Sequence, residues 1–278
     1  MDRYVVTSFN YLAASLVSLM IISSNGLQLP FISFSVGLDD FMAAIPPLES
    51  GTDPRSSLLW GLIVGVPAGL FFFLAFIYYQ KGIRKNGAGL AGAFSKIGIL
   101  IPMTVSILVW NEVPTVLQWL GIGISLLSIL IVNLPEQSLG TEKIRFSLLA
   151  LFLFSGLAEF SNKVFQKYGL IEDKMVFLFF VFLTAFVVSG IFLLSRGKRP
   201  EPDAIMTGVL VGMPNLFCSY FLILALDGIK ASVVFPVYTA MTIVVINLGG
   251  YFLFDESLAR RERFSVVLMV VALVLINL

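Results

Sequence analysis

Nine stretches of mostly apolar residues divide this 278-residue sequence, near 5–23, 58–80, 88–110, 114–134, 146–165, 175–195, 204–226, 232–254 and 258–278. A helix of about 20 apolar residues crosses a hydrocarbon core of roughly 30 Å. Lone strands cannot satisfy their backbone groups in lipid, and a transmembrane barrel would show short alternating segments. The chain is 58% hydrophobic and 13% charged, and its mean hydropathy is +0.96. A soluble domain of this length could not keep so much apolar surface out of water. The expectation is therefore an all-α integral membrane protein with nine transmembrane helices, placed in the cell (inner or plasma) membrane. The first stretch lacks the A-x-A cleavage pattern of a signal peptide and has an internal counterpart, described next.

A shift of 144 residues lays the chain on itself without a gap. Asn111-Glu112-Val113-Pro114 falls over Asp255-Glu256-Ser257-Leu258, and Ile131-Val132-Asn133-Leu134 over Leu275-Ile276-Asn277-Leu278. A GxxxGxP pattern occurs twice, from Gly61 to Pro67 and from Gly208 to Pro214. Asp2-Arg3 through Val17-Ser18 matches Asp173-Lys174 through Val188-Ser189, so 5–23 corresponds to 175–195. Two repeats follow, 1–134 and 146–278. The second has a helix, 146–165, before its match begins, and the first has none. Either the first helix of an ancestral five was lost or the chain is an N-terminal truncation of a ten-helix protein. Truncation is the favoured reading, and an apolar segment resembling 146–165 is then expected upstream. Duplicated membrane helices point to a transporter, with its site where the repeats meet.

Two five-helix repeats, each with an acid before its last helix, resemble the drug/metabolite transporter superfamily, EamA type. The residues that carry the likeness are Trp110-Asn111-Glu112-Val113-Pro114 with Gln118 and Gly121, and Phe254-Asp255-Glu256-Ser257-Leu258. The chain departs from the family pattern at Asn111, Asp255 and Ser265, where glycine is usual. The resemblance implies two inverted repeats and secondary-active transport of a small organic metabolite or drug by alternating access. It does not imply a substrate.

Net charge is +1, so nucleic acid is not an expected partner. There is no histidine, and Cys218 is the single cysteine. Histidine metal sites and an intrachain disulfide framework are thereby excluded. No cofactor is expected, because no glycine-rich phosphate loop, catalytic triad or metal-ligand cluster is present. Asp39-Asp40, in the acidic connection 24–57, is a weak magnesium or diphosphate signal with no second acidic motif to face it. That connection carries Asp39, Asp40, Glu49 and Asp53 against Arg55 and reads as a membrane-surface loop. The alternatives to transport are a membrane enzyme or lipid-processing protein working through this loop, and a non-transporting truncated paralogue.

Lysine and arginine are unequally shared between the two sides. Arg3, Lys81, Arg84, Lys85, Lys143, Arg145, Arg196, Lys198, Arg199, Arg260, Arg261 and Arg263 fall on one side. Arg55, Lys167, Lys174 and Lys230 fall on the other. The positive-inside rule puts the twelve in the cytoplasm, whereas the family resemblance implies the opposite orientation.

A charge at a helix centre costs about 2.5–3.5 kcal/mol on insertion scales, so it normally faces protein or water. Lys96, a third of the way into 88–110, is expected to face a cavity. Ser155, Glu159, Asn162 and Lys163 share one face of 146–165, with Glu159 and Lys163 in the order that favours an ion pair. Lys163, near the helix end, is expected to snorkel to the interface. Asn215 follows Pro214, and Phe235, Tyr238, Thr239 and Thr242 share a face of 232–254. Lys96, Glu159, Asn162, Asn215, Tyr238 and Thr239 are the substrate-binding candidates. They are expected in one cavity between the repeats, lined by 58–80, 88–110, 146–165, 204–226 and 232–254. Gly61, Gly65, Gly208 and Gly212 are expected to pack helices closely. Glu112 and Glu256 are expected to cap the helices they precede.

Overall fold

A computed structural model of the chain describes residues 2–26, 54–133, 146–197, 200–254 and 259–278. The acidic connection with Asp39, Asp40, Glu49 and Asp53, and the motif residues Asp255 and Glu256, lie outside them. Every regular element described is helical: α1 (Arg3–Ser24), α2 (Pro54–Asn86), α3 (Ala88–Ile97), α4 (Leu100–Trp110), α5 (Val116–Asn133), α6 (Phe146–Tyr168), α7 (Lys174–Ser195), α8 (Pro202–Gly228), α9 (Ala231–Phe254) and α10 (Arg260–Asn277). A 3₁₀ turn, Ile171–Asp173, leads into α7.

The nine expected segments each find their helix, with 88–110 divided into α3 and α4. Among the described residues, seven spans are long and apolar enough to cross a membrane. The other two helices are α5 and α10, the last of each repeat. The division at Gly98 follows from Pro102. A proline has no N–H to offer the carbonyl four residues back, and its ring crowds that carbonyl. The Gly98 carbonyl instead accepts from Ile101 N at 3.0 Å, in 3₁₀ fashion. Pro67, Pro214 and Pro236 remain inside continuous helices.

The contacts group the chain into two compact units, Met1–Phe73 with Ser161–Gly228 and Leu74–Phe160 with Ile229–Leu278. Each unit draws on both proposed repeats.

In the first unit, α1 packs against α7 and α8. Close approach of helices is set by glycine. A Cβ on Gly65 would meet Phe177 O, Phe180 Cβ and Val181 N; one on Gly208 would meet Val6 O, Phe9 Cβ and Asn10 N. Each partner in the first set lies 171 residues after its partner in the second. The next turn repeats the pattern, with Gly69 against Val181 O, Thr184 Cβ and Ala185 N, and Gly212 against Asn10 O, Ala13 Cβ and Ala14 N. The α2–α7 and α8–α1 crossings are thus the same crossing made twice. They also correct the register read from GxxxGxP. Gly208 is the counterpart of Gly65, not Gly61, and Gly212 that of Gly69. Three glycines spaced by four residues allow a match one turn out of place, and only their partners distinguish the two.

Tyr11 and Phe182 are equivalent by the same 171-residue shift, and their rings lie against each other with centroids 6.2 Å apart. Tyr4 meets Phe192 farther along, so α1 and α7 run antiparallel. Equivalent helices in opposite directions are what inverted repeats require. Phe165, Phe177, Phe180 and Phe182 fill the surrounding core, and Phe165 stacks on Phe177 at 4.5 Å.

The second unit shows the same relation between α5 and α10, both 18 residues long. Gly121 lies against Ala272 and Ile276, and Ser128 lies against Ser265. Exchanging each residue for the one 144 away turns the first pair, Gly121 with Ala272, into the second, so these helices are also equivalent and antiparallel. Ser265 therefore stands where the first repeat has Gly121. Its hydroxyl meets that of Ser128 at 2.6 Å, so a hydrogen bond replaces the bare glycine contact. Both helices start alike. Gln118 Oε1 accepts from Thr115 N at 3.0 Å, and Glu262 Oε2 accepts from Ala259 N at 2.7 Å. Thr115 completes a capping box through its hydroxyl and Gln118 N.

Asn111 is the non-glycine residue with positive φ (54°) among the described residues. It terminates α4 in the left-handed conformation, where glycine is favoured and asparagine tolerated. That is the physical basis of the glycine usual in the family pattern. Glu112, expected to cap the helix it precedes, caps α9 instead. Its Oε2 accepts from Ala231 N at 2.6 Å, while Lys230 Nζ donates to Val113 O at 3.1 Å. Removing this carboxylate strands an N-terminal amide of α9. Glu112→Ala is expected to cost about 1 kcal/mol of stability, read as a lower melting temperature of the purified protein. Unchanged melting would contradict the cap.

Candidate functional site

Within the second unit, the C-terminal half of α2 and the second half of α3 flank an open cavity of about 310 Å³. Its lining is Ala75, Phe76 and Tyr79 from α2 and Gly92, Ser95 and Lys96 from α3. Small residues at 75 and 92 leave the space, and the two rings form an apolar wall. Lys96 is half-buried and lies about 12 Å along the Ala88–Trp110 span, from eight residues of helical rise. The cavity lies immediately before the α3–α4 break.

That break is held against α6. A Cβ on Gly156 would fall 2.5 Å from the Gly98 carbonyl, and one on Gly98 would fall 2.5 Å from Ser155 Oγ. Ser155 Oγ donates to Leu151 O at 2.7 Å and lies 3.2 Å from Ser95 O. Ser155, read from sequence as part of a polar face with Glu159, thus ties α6 to the turn that carries Lys96. Glu159 is half-buried one turn farther along α6 and is not among the residues lining the cavity. Its neighbour Phe160 stacks on Trp110 with centroids 6.1 Å apart.

On α9, Thr239 is 1% exposed and Tyr238 half-buried. The Thr242 hydroxyl donates to Tyr238 O at 2.7 Å, so it serves its own helix. Ile97 and Ala240 pack into one cluster with Ile129 and Met269. At the 144-residue shift that relates the last helices of the two repeats, Lys96 falls over Ala240. A cation in one repeat stands where the other has a small apolar residue.

In the first unit, Asn215 Nδ2 donates to Asn10 Oδ1 at 3.0 Å, joining α8 to α1 beside the Gly212 crossing. Asn162 is 1% exposed on the last turns of α6. Lys163 does not snorkel. It is 3% exposed, and its Nζ donates to Gln166 Oε1 at 2.9 Å. Gln166 Nε2 donates on to Asp227 Oδ1 at 3.3 Å. The helix end expected near residue 165 lies at Tyr168, and Phe165 packs into the core, which carries Lys163 inward. Sequence reasoning missed Phe76, Tyr79, Asn10, Gln166 and Asp227. Gln166 was findable, one turn from Lys163; the others needed the packing. Among the described residues, no group of three or more His, Cys, Asp or Glu could hold a metal ion.

The seven apolar spans, the antiparallel equivalent helices and a half-buried cation at a cavity define a multi-pass membrane protein built from inverted repeats. Residues 144–278 match the model of the EamA-like transporter family. Residues 144–278 are therefore similar to EamA-like transporters, a family of the drug/metabolite transporter superfamily. No curated protein matches the chain. A solved structure described only as "Crystal structure of protein" is 11% identical, covering 100% of this chain and 89% of that one, with a TM-score of 0.68. At that identity the likeness is one of fold alone.

Proposed function

We propose that this protein is a secondary-active transporter that moves a small organic metabolite or drug across the cell membrane by alternating access. The observation that carries the reading is Lys96, a cation well inside an apolar span that lines a cavity beside two aromatic rings. The scaffold contacts are duplicated between repeats, but the cavity residues are not. Phe76 and Tyr79 have Ser219 and Leu222 at the equivalent positions, and Lys96 has Ala240. A residue demanded only by helix packing would be free to be symmetric, so the asymmetry points to a solute. An ammonium with a flat apolar wall suits a solute bearing an anionic group and an apolar body. Glu159, Asn162, Asn215, Tyr238 and Thr239 belong to the same proposal as further solute contacts. A discontinuous helix beside the cavity is the element that transporters use to bind and to move.

The test is uptake. Proteoliposomes holding the full chain are exposed to a mixed extract of cellular metabolites, washed and analysed by mass spectrometry beside protein-free vesicles. At least one solute should be enriched by the protein, and Glu159→Gln should slow its entry without lowering yield. A metabolite profile identical to that of empty vesicles would overturn the proposal.

A further inference from the structure

A second cavity lies apart from the one at Lys96. A space of about 700 Å³ opens at the end of α2 and the start of α6, lined by Tyr78, Lys81, Arg84, Lys85, Phe146 and Ser147. Half of that lining is cationic. Lys81 Nζ sits 4.8 Å from the centroid of the Tyr78 ring, which faces Phe146 edge-on at 6.2 Å and stacks on Phe154 at 5.5 Å. An aromatic wall therefore fixes one cation at the cavity while Arg84 and Lys85 stand at its exposed side. Asn86 Nδ2 reaches Ser147 Oγ at 3.4 Å and holds the two helices together at this end.

Charge bias between membrane faces accounts for basic residues at a helix end. It does not account for their convergence on one cavity with a ring wall. Nor does the repeat scaffold. At the offset fixed by the glycine crossings, Lys81, Arg84 and Lys85 correspond to Leu224, Asp227 and Gly228. The same helix end folds in the second repeat with no cation. The first turn of α6 adds backbone N–H groups and the positive end of a helix dipole on the same side.

We propose that this cavity binds a phosphate group, carried by an anionic membrane lipid or free in solution. Its volume is in the range of ligand sites, and basic pockets between helix ends near the membrane surface receive lipid phosphates in this way. The guanidinium of Arg84 can take two phosphate oxygens at once, with Lys81 and Lys85 as point charges. Aromatic Tyr78 and Phe146 would lie against the glycerol or acyl portion of a lipid. This site is separate from the Lys96 cavity and does not depend on the transport reading.

The experiment uses the full chain in phosphatidylcholine nanodiscs and follows thermal unfolding by tryptophan fluorescence. One arm replaces part of the lipid with phosphatidylglycerol, and another adds inorganic phosphate. A rise in Tm of several degrees with phosphatidylglycerol alone assigns the lipid as the source. A rise with inorganic phosphate alone assigns the free anion. In either case Arg84→Gln should weaken the apparent affinity roughly fivefold, the effect of about 1 kcal/mol per cation. The triple variant Lys81→Gln, Arg84→Gln, Lys85→Gln should abolish the response. Neutralising Arg260, Arg261 and Arg263 should leave it intact. Arg84→Gln is exposed at a helix end, so it keeps the proposal testable if the triple variant does not fold. No rise in either arm would overturn the assignment, as would a response unchanged by Arg84→Gln or equally lost when the α10 arginines are removed.

Discussion

Gly69→Leu is expected to eliminate folded protein, and Gly212→Leu is expected to do the same. A Cβ on Gly69 would overlap the Val181 carbonyl and lie 2.7 Å from Thr184 Cβ; one on Gly212 would lie 2.5 Å from the Asn10 carbonyl and 2.7 Å from Ala13 Cβ. The obstructing atoms are backbone oxygens of a packed helix, which cannot rotate away. Overpacking a core typically costs about 1–3 kcal/mol, occasionally more, and leucine adds three further carbons beyond the obstructed Cβ. The helices would have to separate along the whole crossing. Gly123 meets nothing within 4 Å, so Gly123→Leu should fold normally. Fluorescence-detected size exclusion of detergent extracts reads all three. The two losses should be of similar size, because the crossings are equivalent. A monodisperse peak for Gly69→Leu at wild-type height would contradict the packing, and a large difference between Gly69→Leu and Gly212→Leu would contradict the equivalence.

The helical segments were legible because length and hydropathy decide membrane crossing with little help from tertiary structure. The α5–α10 match was legible because its offset is constant across 24 residues, 111–134 on 255–278. The glycine register was not, because a four-residue ladder matches itself when slipped by a turn. The α3–α4 break was also hidden. Four prolines lie in the interior of the apolar segments, at 67, 102, 214 and 236, and only Pro102 divides its helix; its freed carbonyl, at Gly98, abuts α6 at Gly156. Glu112 could be placed before α5 from sequence, but not beside Ala231, 119 residues away. Of the cavity's lining, Lys96 drew notice from sequence through its cost in lipid, while Phe76 and Tyr79 are ordinary residues of α2 until the fold sets them at the cavity. Lys163 carried the same signal as Lys96 and was misjudged, because its burial depends on where α6 ends.

Lys96→Met should leave the protein folded and reduce uptake about tenfold or more. Methionine keeps the length of the side chain and removes a charge that costs about 2.5–3.5 kcal/mol to hold in a span, so insertion should not suffer. A contact between an ammonium and a solute anion contributes about 1.5–3 kcal/mol, which corresponds to a loss of tenfold or more. Lys96→Arg should retain part of the uptake through its charge. Lys163→Met should behave differently. Lys163 is bonded to Gln166 in the interior, so its loss should lower stability and leave uptake per folded molecule near normal. Wild-type uptake in Lys96→Met would remove the cation from the mechanism.

The most direct measurement places a reporter inside the cavity. Ala75 lines it with Phe76, Tyr79 and Lys96, and Cys218 is the one native thiol to be removed first. In a Cys218→Ser background, Ala75→Cys is alkylated with a small maleimide in the presence and absence of the solute that the uptake screen identifies. A solute seated at Lys96 should slow alkylation several-fold, and the protection should vanish in Lys96→Met. Alkylation at the same rate with and without a saturating transported solute would show that the solute passes elsewhere, and would contradict the assignment of this cavity as its site.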